Sequence, residues 1–133
     1  MHSPEFVTAQ VDGLAATGIR FVTSVRLDDE QLGEDAAFAG FDEVMSHLAT
    51  VDRDLDLGGS VYGSVQWSSS QATAERERAL MDRYGITNQA HFVETAEQIE
   101  IQQSKFDWYD AAGVLGPGFA FGHFVHPTEN MVA

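Results

Sequence analysis

The chain contains no cysteine among its 133 residues. Neither a disulfide framework nor a thiolate metal site is therefore available, so nitrogen and oxygen ligands would have to hold any metal ion. Its apolar runs are far too short to span a bilayer, and the opening Met-His-Ser-Pro-Glu lacks the basic and apolar regions of a signal peptide. These absences predict a soluble, cytoplasmic protein that does not enter a membrane.

Basic residues are also scarce. Seven Lys and Arg stand against 21 Asp and Glu, which gives a net charge of −14, and Lys105 is the single lysine. Because a phosphate backbone attracts proteins through clustered positive charge, this balance argues against nucleic acid as a partner. One explanation for this excess of acidic residues is that it keeps the protein surface soluble. The alternative explanation is adaptation to high salt.

Helical and strand-like hydrophobic patterns alternate along the chain. The patterns predict strands over residues 19–25, 59–67, 86–94 and 119–126. They predict helices over residues 4–18, 35–50, 71–84 and 94–113, and the first turn of another at 128–130. The acidic stretch 26–34 is expected to be a loop, and Glu77 is expected to face outward from its helix.

This alternation predicts the α/β fold class, with a parallel sheet of about four strands and helices packed on it in a single domain over residues 1–133. Right-handed crossovers leave two architectures open, an open doubly wound sheet and an arc of a (β/α) barrel. Three residues at the end of the second predicted strand are candidates for lining a pocket, with plain strand packing as the alternative: Ser64, Gln66 and Trp67.

Two histidines close successive predicted strands. His91 and His123 are separated by 32 residues, the length of a βαβ unit. Neighbouring parallel strands lie about 4.8 Å apart, so two imidazoles at one height could reach one metal ion. Glu94 follows the first strand, close enough to move a proton at such a site. For either histidine taken alone, the alternative is a purely structural role. For Glu94, the alternative is a carboxylate that the dipole at a helix N-terminus favours.

Both histidine segments resemble strand ends of the metal-dependent amidohydrolases of the cytosine deaminase, guanine deaminase and triazine hydrolase kind. Their fifth-strand HxxET segment is similar to Gln89-Ala90-His91-Phe92-Val93-Glu94-Thr95. Their sixth-strand HCVHLT(D/E) segment is similar to Gly122-His123-Phe124-Val125-His126-Pro127-Thr128-Glu129. Residues 3–20 resemble the helix that leads into the third strand of those enzymes.

The resemblance implies strands three to six of a (β/α)8 TIM barrel, an incomplete barrel segment. It implies that His91 and His123 bind a divalent metal, zinc or alternatively iron. Glu94 would be the general acid/base, and His126 a histidine of the pocket that does not bind the metal. The implied activity is hydrolysis of a C–N bond in a heterocyclic or related small molecule by metal-activated water.

The chain departs from that family at several positions. It contains no HxH pair, His2 has no match in that pair, no match to the eighth-strand Asp is present, and Phe124 stands where cysteine is usual. These departures leave independent turnover by this chain in doubt. The rival hypothesis is a non-catalytic, open α/β remnant that forms a homo-oligomer through exposed sheet edges. A nucleotide-binding module is disfavoured because no glycine-rich phosphate loop is present.

Overall fold

Strands and helices alternate along residues 3–132, the part of the chain that the computed structural model describes. The strands are β1 (Phe21–Val25), β2 (Asp56–Gly63), β3 (Thr87–Phe92) and β4 (Phe119–His123). The helices are α1 (Pro4–Thr17), α2 (Asp29–Leu32), α3 (Glu34–Leu48), α4 (Ala72–Tyr84), α5 (Ile99–Ala111) and α6 (Glu129–Val132). Single 3₁₀ turns precede α4 and α5, at Val65–Trp67 and Ala96–Gln98. His2 lies outside the described residues.

The predicted fold class is confirmed: this is an α/β protein with a four-stranded parallel sheet that alternates with helices. The strand order is β1-β2-β3-β4, so each strand neighbours the next along the chain. A doubly wound sheet reverses its strand order at a switch point, whereas successive strands of a (β/α) barrel are neighbours. The observed order is therefore that of a barrel arc. No helix within residues 3–132 is long and apolar enough to cross a bilayer.

The chain divides into two compact units, Met1–Ser60 and Val61–Ala133. In the first, α1 begins as predicted, because Ser3 Oγ accepts the Phe6 N–H at 3.4 Å and proline occupies the first helical position. Helix α1 packs against α3. The unit's core contains buried apolar side chains from these two helices: Val11, Ala37, Phe41, Val44 and Leu48.

The acidic segment 26–34 is not the simple loop that its polarity predicts, because it contains α2. Asp28 adopts a left-handed conformation with φ 53°, and its carbonyl accepts the N–H groups of Gln31 and Leu32 at 3.1 Å. Its carboxylate lies 2.7 Å from the Arg26 Nε. The turn is thus held by local bonds that hydrophobic periodicity does not report.

The second unit is organised around aromatic side chains. Phe92 of β3 is fully buried and contacts the rings of Phe106 and Tyr109 on α5, with centroids 6.2 and 5.6 Å away. Phe121 of β4 also contacts Phe92, at 6.2 Å, and stacks with Phe106 at 5.9 Å. Edge-to-face and tilted rings at these separations are favourable contacts, so β3, β4 and α5 share one apolar core.

Several predicted boundaries in this unit are wrong, and one is the end of the fourth strand, which lies at His123 instead of residue 126. The second strand ends at Gly63 instead of Trp67, because the Ser64 N–H bonds to the Glu77 carboxylate and the chain then turns. The fourth long helix begins at Ile99 instead of Glu94. Ahead of it, Thr95 and Gln98 form a capping box that starts the preceding 3₁₀ turn.

Candidate functional site

The strands β3 and β4 bring two histidines to one edge of the sheet. They pair in parallel, with His91 opposite Gly122 and Phe92 opposite His123. The two imidazole rings lie 4.7 Å apart between centroids, at an interplanar angle of 87°. The expected proximity of the two strand-end histidines is therefore found, while their role as metal ligands stays a prediction.

The absence of a side chain at Gly122 lets the imidazole rings of His91 and His123 approach each other. A Cβ atom placed on Gly122 would lie 2.3 Å from His91 Cδ2 and 2.7 Å from His91 Nε2. Such distances are far below van der Waals contact, so the His91 ring occupies the volume that any other residue would fill at position 122. Gly122 is thus part of the site although it carries no functional group.

Backbone strain at the end of β4 also contributes. His123 pairs with Phe92, and a regular strand would put these two side chains on the face opposite His91. Instead His123 and Phe124 have positive φ values of 63° and 51°. The turn is fixed to β3, because the Phe124 N–H donates to the Phe92 carbonyl at 2.9 Å. Non-glycine residues pay about 1–2 kcal/mol each for this conformation, and here it lets the His123 ring contact His91.

The third predicted residue, Glu94, lies beside the second histidine. Its Oε1 is 3.7 Å from His123 Nε2, and the two side chains are 53% and 38% exposed, in that order. Solvent therefore screens this contact, which contributes little to stability. The exposure also leaves the Glu94 carboxylate open to solvent. The structure thus brings His91, His123 and Glu94 together at the C-terminal ends of β3 and β4.

His126 occupies a different position. Its backbone N–H donates to the Val93 carbonyl at 3.2 Å, and its side chain is exposed. The pKa of Glu97 lies below its ordinary value, first because of its own backbone N–H, then because of the Thr95 hydroxyl, and last through attraction to His126. His126 thus lies near Glu97, and its role in a pocket stays a prediction.

The sequence analysis did not identify Tyr62, whose ring lies between those of His91 and Trp67 and contacts both. The Tyr62 ring contacts His91 edge-on with centroids 5.6 Å apart, and it stacks with Trp67 at 6.4 Å. Trp67, which was a candidate from its place after the second strand, is exposed. Alternation along β2 could have indicated Tyr62, because it lies on the face opposite to the buried Val61 and Gly63.

Sequence reasoning was wrong about Glu77, which is fully buried in the second unit. Its Oε1 accepts the Ser64 N–H at 2.7 Å and the Ser64 hydroxyl at 3.1 Å. Its Oε2 accepts from Asn88 Nδ2 at 3.0 Å and from the Tyr109 hydroxyl at 2.7 Å. Burial raises the pKa of Glu77, and these four hydrogen bonds oppose the rise without cancelling it. Burial also raises the pKa of the Tyr109 hydroxyl, and the neighbouring Glu77 charge adds to that rise.

The close approach around Glu77 depends on Gly63. A Cβ atom there would lie 2.3 Å from the Tyr109 hydroxyl and 2.7 Å from Asn88 Oδ1. Lys105 also holds the segment after β2, because its ammonium donates to the Ser68 carbonyl at 2.6 Å. These contacts fix the end of β2, the strand that carries Tyr62 to His91.

The residues present fit part of a metal site. Two imidazoles supply two nitrogen donors, whereas catalytic zinc takes three protein ligands. Among the described residues, no group of three or more His, Asp or Glu side chains is arranged to hold a metal ion. Two ligands of a larger set are therefore the most that this unit provides by itself.

The fold and the site together define a class: an α/β protein with a parallel sheet, whose adjacent strand ends carry two histidines and a glutamate. No protein-family model, curated protein or solved structure matches the chain.

Proposed function

We propose that this chain contributes the histidine and carboxylate edge of a metal-dependent hydrolase that acts on C–N bonds of heterocyclic or related small molecules. One observation carries the proposal. His91 and His123 have ring centroids 4.7 Å apart, and Glu94 Oε1 lies 3.7 Å from His123 Nε2. In parallel α/β folds, substrates bind at the C-terminal ends of the strands, which is where these groups lie.

The three side chains divide the chemistry between them. His91 and His123 would hold a divalent ion, zinc or alternatively iron, through ring nitrogens. When bound, that ion supplies the Lewis acidity that activates water. Glu94 accepts a proton from the attacking water and delivers it to the leaving nitrogen, which needs a carboxylate that is open to the reaction volume. Its half-exposed side chain meets that requirement.

Metal titration of the 133-residue chain tests the ligand pair. We expect Co²⁺ or Zn²⁺ to bind at one site per chain, and binding to weaken at least about tenfold in His91→Ala and His123→Ala, since each removes one of two ligands. His47→Ala is the matched control, because His47 lies in the first unit, where its Nε2 bonds to Asp12 at 2.7 Å. Equal loss in all three variants, or metal binding that survives both substitutions, would refute the pair.

Ammonia release from amino-substituted heterocycles tests the reaction itself. With the metal bound, Glu94→Gln should lower kcat by roughly 10²–10⁴ while metal affinity stays unchanged, since it removes the proton acceptor and no ligand. Hydrolysis that Glu94→Gln leaves intact would contradict the role of this residue.

A second candidate function is the non-catalytic one, a domain that self-associates through a sheet edge. Strand β4 is the last strand in the sheet order. Apolar side chains on and beside it are exposed, Phe121 at 37% and Val125 at 61%. Unpaired edges with apolar side chains favour pairing with another chain.

A further inference from the structure

The turn that carries Glu94 begins with a strained residue. Val93 is fully buried and has φ 43°, in the left-handed region. A β-branched residue rarely adopts this conformation, because its branched Cβ crowds the backbone. Such a conformation persists only where the surrounding structure holds it. The contacts of Val93 therefore identify what sets the position of the next residue.

Both polar backbone groups of Val93 are bonded. Its N–H donates to the side-chain oxygen of Gln102 at 2.6 Å, and its carbonyl accepts the His126 N–H at 3.2 Å. Gln102 lies on α5 and is 3% exposed, so this hydrogen bond is shielded from water. A buried N–H that lost this acceptor would be left without a partner, which is costly.

The next two backbone N–H groups, those of Glu94 and Thr95, donate hydrogen bonds to a second glutamine side chain. The side-chain oxygen of Gln98 accepts from Glu94 N at 2.8 Å and from Thr95 N at 3.2 Å. Three successive N–H groups thus bond to two amide side chains at the start of α5. This arrangement fixes the direction in which the Glu94 side chain leaves the backbone, toward His123.

We propose that Gln102 is a positioning residue for Glu94: by accepting the Val93 N–H it holds the left-handed turn that places the carboxylate at His123. The consequence for proton transfer rests on the proposed function, whereas the positioning itself can be measured without any activity. Groups that must be held in place for catalysis depend on such supporting bonds.

Three variants of the full chain test the proposal. Gln102→Met keeps the side-chain volume and removes the acceptor, and Gln102→Glu restores an acceptor oxygen. Gln103→Met is the matched control, because the neighbouring Gln103 bonds to the Thr128 hydroxyl instead of Val93. The readouts are the nuclear Overhauser contact between the Glu94 side chain and the His123 ring, and the hydrogen exchange rate of the Val93 amide.

In Gln102→Met we expect loss of the Glu94–His123 contact and exchange of the Val93 amide at least about tenfold faster. Gln102→Glu and Gln103→Met should both retain the contact. If the contact persists in Gln102→Met, or is lost equally in Gln103→Met, the proposal is overturned. A globally unfolded Gln102→Met would also count against it, unless Gln102→Glu folds and retains the contact.

A double-mutant cycle separates this proposal from the proposed function. In a hydrolysis assay, Gln102→Met should lower kcat without changing KM, and it should have no further effect in the Glu94→Gln background, because it acts through Glu94. If the wild-type chain hydrolyses nothing but Gln102→Met still breaks the contact, the proposed function fails and the positioning role stands. If hydrolysis occurs and Gln102→Met lowers it equally in both backgrounds, the positioning role fails.

Discussion

At the scale of single residues, the contact between the two histidines depends on position 122 having no side chain. The His91 ring lies across the backbone of Gly122, and the left-handed His123 and Phe124 direct the second ring to the first. The contact between the two rings therefore depends on a residue without a side chain and on two left-handed backbone conformations.

Gly122→Ala should separate the two imidazoles. Its Cβ would lie 2.3 Å from His91 Cδ2, so the ring must rotate away, and we expect a loss of about 1–3 kcal/mol in the free energy of unfolding. Metal affinity should fall as much as in His91→Ala. Chemical denaturation and a metal titration measure the two effects.

The control for this substitution is Gly13→Ala in α1, where an added Cβ meets nothing within 4 Å. It should stabilise the helix by about 0.5–1 kcal/mol and leave metal binding unchanged. If Gly122→Ala behaved like Gly13→Ala, the steric account of the site would be wrong.

At the scale of elements, α4 is joined to β2, β3 and α5 through one carboxylate. Glu77 accepts from Ser64 at the end of β2, from Asn88 on β3 and from Tyr109 on α5. A helical pattern that counts charged residues as solvent-facing cannot find this, because the donors are distant in sequence. Ala79 on the same helix is apolar and yet exposed. The hydrophobic pattern therefore predicted the position of the helix correctly and the orientation of Glu77 wrongly.

Glu77→Gln should change how stability depends on pH. Because the pKa of Glu77 is raised in the folded chain, the unfolded chain releases its proton first as pH rises past the ordinary value of 4.5. From there to the raised folded pKa, Glu77 makes folding progressively less favourable, with a limiting slope of about 1.4 kcal/mol per pH unit. Glutamine does not titrate, so the stability of Glu77→Gln relative to wild type should rise across this window.

Denaturation curves collected from about pH 4 upward measure that difference. Glu75→Gln is the matched control, since Glu75 is exposed on the same helix. It should shift the relative stability little across the same range. A flat difference between Glu77→Gln and wild type would show that the carboxylate is not penalised by its burial.

At the scale of the whole molecule, the alternation of helical and strand patterns was sufficient to predict the α/β class and a four-stranded parallel sheet, both now confirmed. Strand-end histidines were predictable for the same reason, because parallel strands end at one edge. The sheet order that distinguishes a barrel arc from a doubly wound sheet was not, since it depends on pairing between distant segments. Left-handed turns at Val93 and His123 also escaped prediction, because their residue types favour other conformations.

Self-association is a property of the whole molecule. If β4 and the residues that follow it form an interface, Val125→Lys should weaken association at least about tenfold, because it replaces an exposed apolar side chain beside the strand with a charge. Association should strengthen with added salt, since a net charge of −14 repels a second copy. Sedimentation velocity over a range of concentrations measures both effects.

Leu32→Lys is the control for adding a lysine at an exposed apolar position, because Leu32 lies on α2 in the first unit. It should leave association unchanged. A wild-type chain that stays monomeric at every concentration and salt level would exclude the interface.

The glycine beneath His91 also provides a way to recognise related sequences. Any homologue that keeps the two imidazoles in contact in this way needs a histidine at the end of one strand and Gly-His at the end of the next. In a homologue with a larger residue before the second histidine, that side chain would occupy the volume of the first imidazole, so the two rings could not make this contact even if both histidines are present. The Gly-His dipeptide is therefore a more specific marker of the paired imidazoles than either histidine alone.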